Sequence, residues 1–265
     1  MKNIARHSRW YLVGVIFAAN FFIWNAIFAE ERGGLLTVAF LDVGQGDAIF
    51  IEAPNGNQIL IDGGPGRVVF QPLSEMMPFY DRSIDVVIAT HPDADHIGGL
   101  PEVFSRYDVD FFLDPGKPSN TGVYAALVES LEASDAKYII ARRGMRVALD
   151  EERNIFLEIL FPDRGMGGAD TNDASVVAKL VYGKTSFLLT GDSPQKIEKY
   201  LASIDGKNLD SDVLKLGHHG SKTSSSAVFL GYTSPEYAVI SAGKNNRYGH
   251  PHEEILARLR EFGEL

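Results

Sequence analysis

Apolar residues fall along the chain in short runs broken by turn signals. "LLTVAFLDV" and "DAIFIEA" read as strands flanking the turn Gly44-Gln45-Gly46, and "PNGN" links the second to "QILIDGG" through a hairpin signal of the Asn-Gly type. Strand and helix patterns then alternate. "SIDVVIAT" predicts a strand and "GGLPEVFSRY" the start of a helix; "VDFFLD" predicts a strand and "TGVYAALVESLEA" an amphipathic helix. "KYIIA", "MRVAL" and "NIFLEILFP" predict further strands, and "ASVVAKLVYG" with "TSFLLTGD" a hairpin around Gly183-Lys184. "SPQKIEKYLAS" predicts a helix with Ser193 as N-cap and Pro194 at its first position. "SDVLKLG" and "YAVISAG" read as strands, and "PHEEILARLREFG" as a last helix. Antiparallel hairpins with interspersed helices predict an α/β fold of layered sheets with helices outside.

The first thirty residues have a different pattern. Trp10 to Ala29 carry no charge and follow Lys2, Arg6 and Arg9. Twenty such residues at ~1.5 Å each reach ~30 Å, the hydrocarbon thickness of a bilayer. A secretory apolar region is usually shorter, and "IFA" before Glu30 matches the A-x-A cleavage pattern poorly. The expectation is an uncleaved signal-anchor helix, with Asn20 and Asn25 as tolerated polar positions. Basic residues precede the helix, which puts the N-terminus in the cytoplasm and the body outside. A signal peptide cleaved before secretion is the competing reading. Residues 1–34 are therefore read as cytoplasmic stub, transmembrane helix and link, and 35–265 as the folded body.

Composition narrows the chemistry. The chain has 265 residues, enough for one large core plus a tail. It has no cysteine, which excludes disulfides and thiolate metal ligands. A net charge of −10 does not gather polyanions through the overall field, so any nucleic-acid contact must be local.

Asp62, His91, Asp192, His218 and His250 each follow an apolar run, at the strand ends where layered folds assemble sites. The densest cluster is "THPDADHIGGL", with His91, Asp93, Asp95 and His96 inside six residues. Alternate side chains of a tight loop share a side, so one loop can feed two metal positions, His91 with Asp93 and Asp95 with His96. Imidazole and carboxylate ligands suit Zn²⁺, Mn²⁺ or Fe. Lys222, among the hydroxyls of Ser221, Thr223, Ser224 and Ser225, suits a phosphate. "GSKTS" is not a nucleotide-binding loop, since Ser221 separates Gly220 from Lys222. "NNRYGHPH" adds Arg247, Tyr248 and His250; His250 is a general-acid or phosphate-binding candidate, or only a turn residue before Pro251. Asp42, Gln45 and Asp47 surround a tight turn that a plain hairpin also explains.

His91-x-Asp93-x-Asp95-His96 resembles the H-x-H-x-D-H signature of the metallo-β-lactamase fold superfamily, with Asp93 in place of the second histidine. "LDVGQGDA", "THPDADHIGGL", "LLTGD", "HHGSKTSS" and "YGHPH" together resemble the metallohydrolase domain of ComEC/Rec2-type competence proteins, from about Leu36 to the end. The resemblance implies an αβ/βα sandwich and a dinuclear centre of two divalent ions, Zn or Mn, and suggests that the turn of Asp42, Gln45 and Asp47 lies near it. His91 and Asp93 would hold one ion. Asp95, His96 and one of His218 or His219 would hold the other, and Asp192 would bridge. Two adjacent histidines cannot both point inward from a regular strand end; His218 is favoured for the metal, with His219 behind the site or as the alternative ligand, and Asp62 orients a ligand histidine. The superfamily's middle histidine has no counterpart, and Asn172 in "TNDASVV" is an alternative ligand. Such domains usually continue past "REFGEL" with another short strand or two, which would leave a sheet edge less covered here.

The implied activity is a phosphodiesterase or nuclease related to DNA uptake. Asp95 and His250 are its catalytic candidates, and Ser221, Lys222, Ser224 and Arg247 its substrate contacts. Single-stranded DNA or a small phosphodiester would be the substrate. One anchor helix cannot form a DNA pore, so uptake would need a separate channel protein. The alternatives are a lactonase or β-lactamase-like hydrolase and a catalytically silent metal-binding module.

Overall fold

The computed structural model describes residues 2–30 and 34–262, without the side chains of residues 2–8 and 25–30. The chain divides into two units, Met1–Leu35 and Leu36–Leu265.

The first unit is one helix, α1 (Lys2–Glu30). Its described side chains, residues 9–24, are all exposed, aromatic and aliphatic alike. Asn20 donates its amide to the Ile16 carbonyl at 2.9 Å, which satisfies part of a polar group in an apolar run. Among the described residues no helix is long and apolar enough to cross a membrane. Part of the expected span and its flanks, the side chains of residues 25–29, Lys2 and Arg6, lie outside the described residues.

In the second unit, six strands form one sheet in sequence order: β1 (Thr37–Phe40), β2 (Ile49–Glu52), β3 (Gln58–Ile61), β4 (Ser83–Ile88), β5 (Asp108–Asp114) and β6 (Lys137–Ile140). The first three pair antiparallel, and β3 to β6 run parallel. The second sheet repeats the plan with β7 (Arg146–Asp150), β8 (Ile155–Phe161), β9 (Val177–Tyr182), β10 (Thr185–Leu189), β11 (Val213–Lys215) and β12 (Tyr237–Val239). Here β7 to β10 are antiparallel, while β10, β11 and β12 are parallel.

The period of two in the sequence sorts side chains between faces. Ile49, Ile51, Ile59, Ile61 and Ile88 point to the inner layer and meet Leu157, Ile159, Leu180 and Leu189 of the other sheet. Phe50, Leu60 and Val87 point outward, onto a layer built by α2 (Phe70–Met76), α3 (Ala94–Ile97), α4 (Leu100–Arg106) and α5 (Gly122–Glu132). On the far side Phe161, Leu188 and Leu214 pack against α6 (Gln195–Asp205), α7 (Ala227–Thr233) and α8 (Glu253–Phe262). The order is helices, sheet, sheet, helices.

Three helices, α2, α3 and α7, are not expected from the sequence. They are seven, four and seven residues long, too short to repeat an apolar face. Ser193 is not the N-cap of α6. Pro194 holds that position, the Ser193 hydroxyl has no partner, and the Gln195 amide donates to the Thr223 carbonyl at 2.8 Å.

Candidate metal centre at the sheet ends

Chemistry-bearing residues collect where the parallel strands end. Asp62 follows β3, and His91 to His96 follow β4 and open α3. Asp192 follows β10, and His218 with His219 follow β11. Gly46 lets the β1–β2 turn close over this end. Its φ is +137°, and a Cβ there would lie 2.1 Å from the Asp95 carbonyl.

Each buried imidazole is held by Nδ1 and leaves Nε2 free. His96 Nδ1 donates to Asp62 Oδ2 at 2.8 Å. Asp62 is fixed in turn by the Thr90 amide and hydroxyl, both at 2.7 Å. His91 Nδ1 lies 3.0 Å from the Thr90 hydroxyl, and His219 Nδ1 donates to the Ser241 carbonyl at 2.9 Å. The Nε2 atoms of His91, His96 and His219 are buried without a hydrogen-bond partner, as is Asp192 Oδ1.

Those free atoms converge. His96 Nε2 is 3.4 Å from Asp192 Oδ1, and His219 Nε2 is 3.5 Å from Asp192 Oδ2 and 3.4 Å from Asp95 Oδ2. His91 Nε2 is 3.6 Å from Asp93 Oδ2 and 3.9 Å from Asp192 Oδ2. Two ligand atoms each ~2.1 Å from one ion at a tetrahedral angle lie ~3.4 Å apart. The separations fit donors around divalent ions better than hydrogen bonds, and the donor set, imidazole nitrogen plus carboxylate oxygen, fits as well.

His218 and His219 both face Asp192, which the expectation for a regular strand end did not allow. Both have left-handed backbones, with φ +48° and +56°, so the chain turns between them instead of alternating. His218 Nε2 is 3.7 Å from Asp192 Oδ2. Its Nδ1 lies 3.0 Å from the Thr223 hydroxyl and 3.3 Å from Asn172 Nδ2. Thr171, next to Asn172, donates to Asp93 Oδ2 at 3.1 Å. His218 thus sits toward Asp93, and His219 toward Asp95.

Asp47, from the turn expected near the site, and Lys215, which the sequence did not single out, complete the cluster. Ligand-type atoms of Asp47, His96, Asp192 and His219 lie within 4.8 Å of one another. Asp47 approaches the Nδ1 edges, its Oδ1 3.4 Å from His219 and its Oδ2 3.8 Å from His96, and Oδ2 also meets the Lys215 ammonium. It therefore braces the imidazoles from behind. Lys215 is fully buried and also donates to the Gly191 carbonyl at 3.1 Å. The signal for this pair was a lysine inside the apolar run "DVLKLG" and the aspartate of "GQGDA".

Charge balance follows. Burial opposes ionisation of Asp192, yet His96, His219 and His91 hold it well below the carboxylate range. Burial likewise acts against Asp47, but Lys215 and the nearby imidazoles bring it to about 2. His219 is raised to about 9, and His96 well above its usual value, because flanking carboxylates outweigh burial. His91, against His96, is pushed down by burial to about 3. Asp192 and Asp47 stay charged and draw positive charge inward.

The substrate candidates divide. Lys222 and Arg247 are exposed on the loops carrying His219 and His250. The Ser224 hydroxyl is buried and donates to the Gly217 and Ser221 carbonyls at 2.6 and 2.9 Å. The Ser221 hydroxyl accepts from the Thr223 hydroxyl at 3.0 Å. Both serines shape the histidine turn and do not face a substrate. His250 is half-buried, its ring 5.5 Å from that of His218.

The model of the metallo-beta-lactamase superfamily matches residues 41–244. The chain belongs to this superfamily. Within it, the chain is 34% identical to Competence protein ComA of Neisseria gonorrhoeae, over 94% of its own length. It is 33% identical to ComE operon protein 3 of Bacillus subtilis and to Recombination protein 2 of Haemophilus influenzae, over 84% of its length in each case. The chain spans only 33%, 30% and 26% of these relatives, respectively. Among solved structures, the metallo-beta-lactamase fold protein YhfI of Bacillus subtilis superposes with a TM-score of 0.55 at 10% identity, covering 86% of this chain and 93% of that one. Zn²⁺-bound PqqB of Methylobacterium extorquens gives 0.53 at 13%, covering 83% and 84%. At these identities the structures establish the fold alone.

Proposed function

We propose that the body is a dinuclear metal-dependent phosphodiesterase acting on nucleic acid, held by α1 at the outer face of the cytoplasmic membrane. The observation that carries this reading is the convergence on Asp192 of buried Nε2 atoms from His91, His96 and His219 that have no other partner. His91, Asp93 and His218 would hold one ion, and Asp95, His96 and His219 the other, with Asp192 between. Divalent ions bound there supply Lewis-acid polarisation of a phosphoryl oxygen and activation of water. A carboxylate at Asp93 hardens the donor set, which favours Mn²⁺ beside Zn²⁺.

The chain's own groups do the rest. Asp62 and Asp47 fix the imidazoles from behind. Lys222 and Arg247 bring positive charge to a phosphate in an otherwise acidic protein. Burial and the neighbouring His218 push His250 down to about 4, so its imidazole is neutral near pH 7. It serves as a hydrogen-bond donor to a phosphoryl oxygen in preference to a ready general acid. Similarity to competence proteins supports a DNA substrate, with a separate channel protein if uptake is the role.

A substrate panel tests the reading. With Mn²⁺ or Zn²⁺, the protein should hydrolyse single-stranded DNA or a small phosphodiester and spare a lactone and a cephalosporin. Hydrolysis of only the lactone or cephalosporin, or of nothing, overturns it. The anchor is supported by the uncharged run from Trp10 to Ala29 behind basic residues. Protease added to intact spheroplasts should digest the body, and full protection refutes the orientation.

A further inference from the structure

An aromatic ledge leads outward from the histidines. The His250 ring lies 5.5 Å from that of His218 and 6.1 Å from that of His219, centroid to centroid. Tyr248 stacks on His250 at 5.6 Å with 22° between the planes, and is 49% exposed. The Arg247 guanidinium sits 4.9 Å over the Tyr248 ring and donates to its hydroxyl at 2.7 Å. A hydroxyl does not neutralise the guanidinium, so its charge remains available to an anion.

The ledge is built, not frayed. Asn246 Nδ2 donates to the Gly243 carbonyl at 2.9 Å and also to the His250 carbonyl. Its Oδ1 accepts the amides of Tyr248 at 3.1 Å and His250 at 3.0 Å. The Gly243 amide donates to Gln45 Oε1 at 3.2 Å, which seats the loop on the turn beside Asp47. A Cβ at Gly243 would lie 2.9 Å from the Gln45 amide nitrogen, so the seat requires glycine. A lone exposed tyrosine means little. This one continues a ring-to-ring path that begins at the candidate ligands, and it carries a cation.

We propose that Tyr248 and Arg247 form a subsite for the nucleotide next to the scissile phosphodiester of a single-stranded nucleic acid. The proposal rests on the phosphodiesterase reading of the metal centre. The Tyr248 ring stacks the base, and Arg247 moves off the ring to the adjoining phosphate. An exposed cation–π contact is weaker than base–aromatic stacking, so a base displaces the guanidinium. Stacking requires a base face that a duplex keeps covered, and it tolerates any base because every base has one.

The test compares the full-length protein, in detergent, with Tyr248→Ala, Tyr248→Phe and Tyr248→Trp. The probes are a single-stranded oligonucleotide and an abasic strand of equal phosphate number, and the readouts are hydrolysis with Mn²⁺ and binding by fluorescence anisotropy. Tyr248→Ala should raise KM and Kd for the normal strand by roughly fivefold to a hundredfold more than for the abasic strand. KM should move more than kcat, and Tyr248→Phe and Tyr248→Trp should retain most of the discrimination. If wild type and Tyr248→Ala discriminate equally between the two strands, the subsite is overturned. A wild type that binds the normal strand through Tyr248 but never cleaves it overturns the phosphodiesterase reading and leaves the subsite standing. A wild type that binds neither strand overturns both.

Discussion

The Lys215 ammonium meets the Asp47 carboxylate with both side chains buried, at 0% and 1% exposure. Breaking a buried ion pair from one side strands the other charge and costs ~3–5 kcal/mol. Lys215→Met should therefore lower stability by that order in urea denaturation, while Lys215→Met combined with Asp47→Asn should cost clearly less than the sum of the single changes. Additive losses would show that the two groups do not depend on each other.

Asp192 lies between the two proposed ion positions. Elemental analysis should find two divalent ions per wild-type chain, and Asp192→Ala should weaken both. Because His219 is raised to about 9 and His96 is also raised, protons compete with cations there. Ion affinity should rise with pH through neutrality, and calorimetry should detect protons released on binding. A wild type that retains no ion after Mn²⁺ or Zn²⁺ is supplied would rule out the dinuclear mechanism.

Glu198, in α6, accepts the amides of Ser225 and Ser226, yet burial pushes it up to about 7 from 4.5. A carboxyl whose folded pKa is raised adds stability at low pH, and that stability is lost as pH climbs from about 4.5 to about 7. The shift corresponds to about 3 kcal/mol. Wild-type stability, measured relative to Glu198→Gln, should fall by that order between pH 4.5 and 8. A difference that stays constant across this window would contradict the raised pKa.

Lys222 is exposed three residues after His219. Charge-assisted bonds to phosphate contribute ~1.5–3 kcal/mol. Lys222→Ala should lower phosphodiesterase kcat/KM by roughly tenfold to a hundredfold without loss of bound ion. Added salt should slow the wild type more than the variant, since the screened contact is already absent from the variant. Equal rates for the two proteins would leave Lys222 as a solvated loop residue.

Much of this was readable from residue order. The cluster His91 to His96 advertised itself because four ligand-type side chains lie in six positions, and the strand runs Ile49 to Glu52 and Ile155 to Phe161 follow from their apolar pattern. Residue order left the choice between His218 and His219 open, because the turn that brings both to Asp192 depends on left-handed backbone at two successive residues, which residue type does not announce. Ser221 and Ser224 looked like phosphate contacts by composition, but hydroxyls in a tight turn bond first to nearby carbonyls. Asp47 and Lys215 are 168 residues apart, so only the folded arrangement shows that their charges cancel.

His91, Asp93, Asp95 and His96 follow a strand of one sheet, whereas Asp192, His218 and His219 follow strands of the other. An ion gripped by both sets would rivet the two halves of the sandwich together. Resistance to unfolding would then track the free-ion concentration, rising by about 1.4 kcal/mol for each tenfold increase above Kd. Chelation should make the body easier to digest as well as inactive. Where ions are scarce, the protein would be cleared by proteolysis instead of persisting as an idle enzyme.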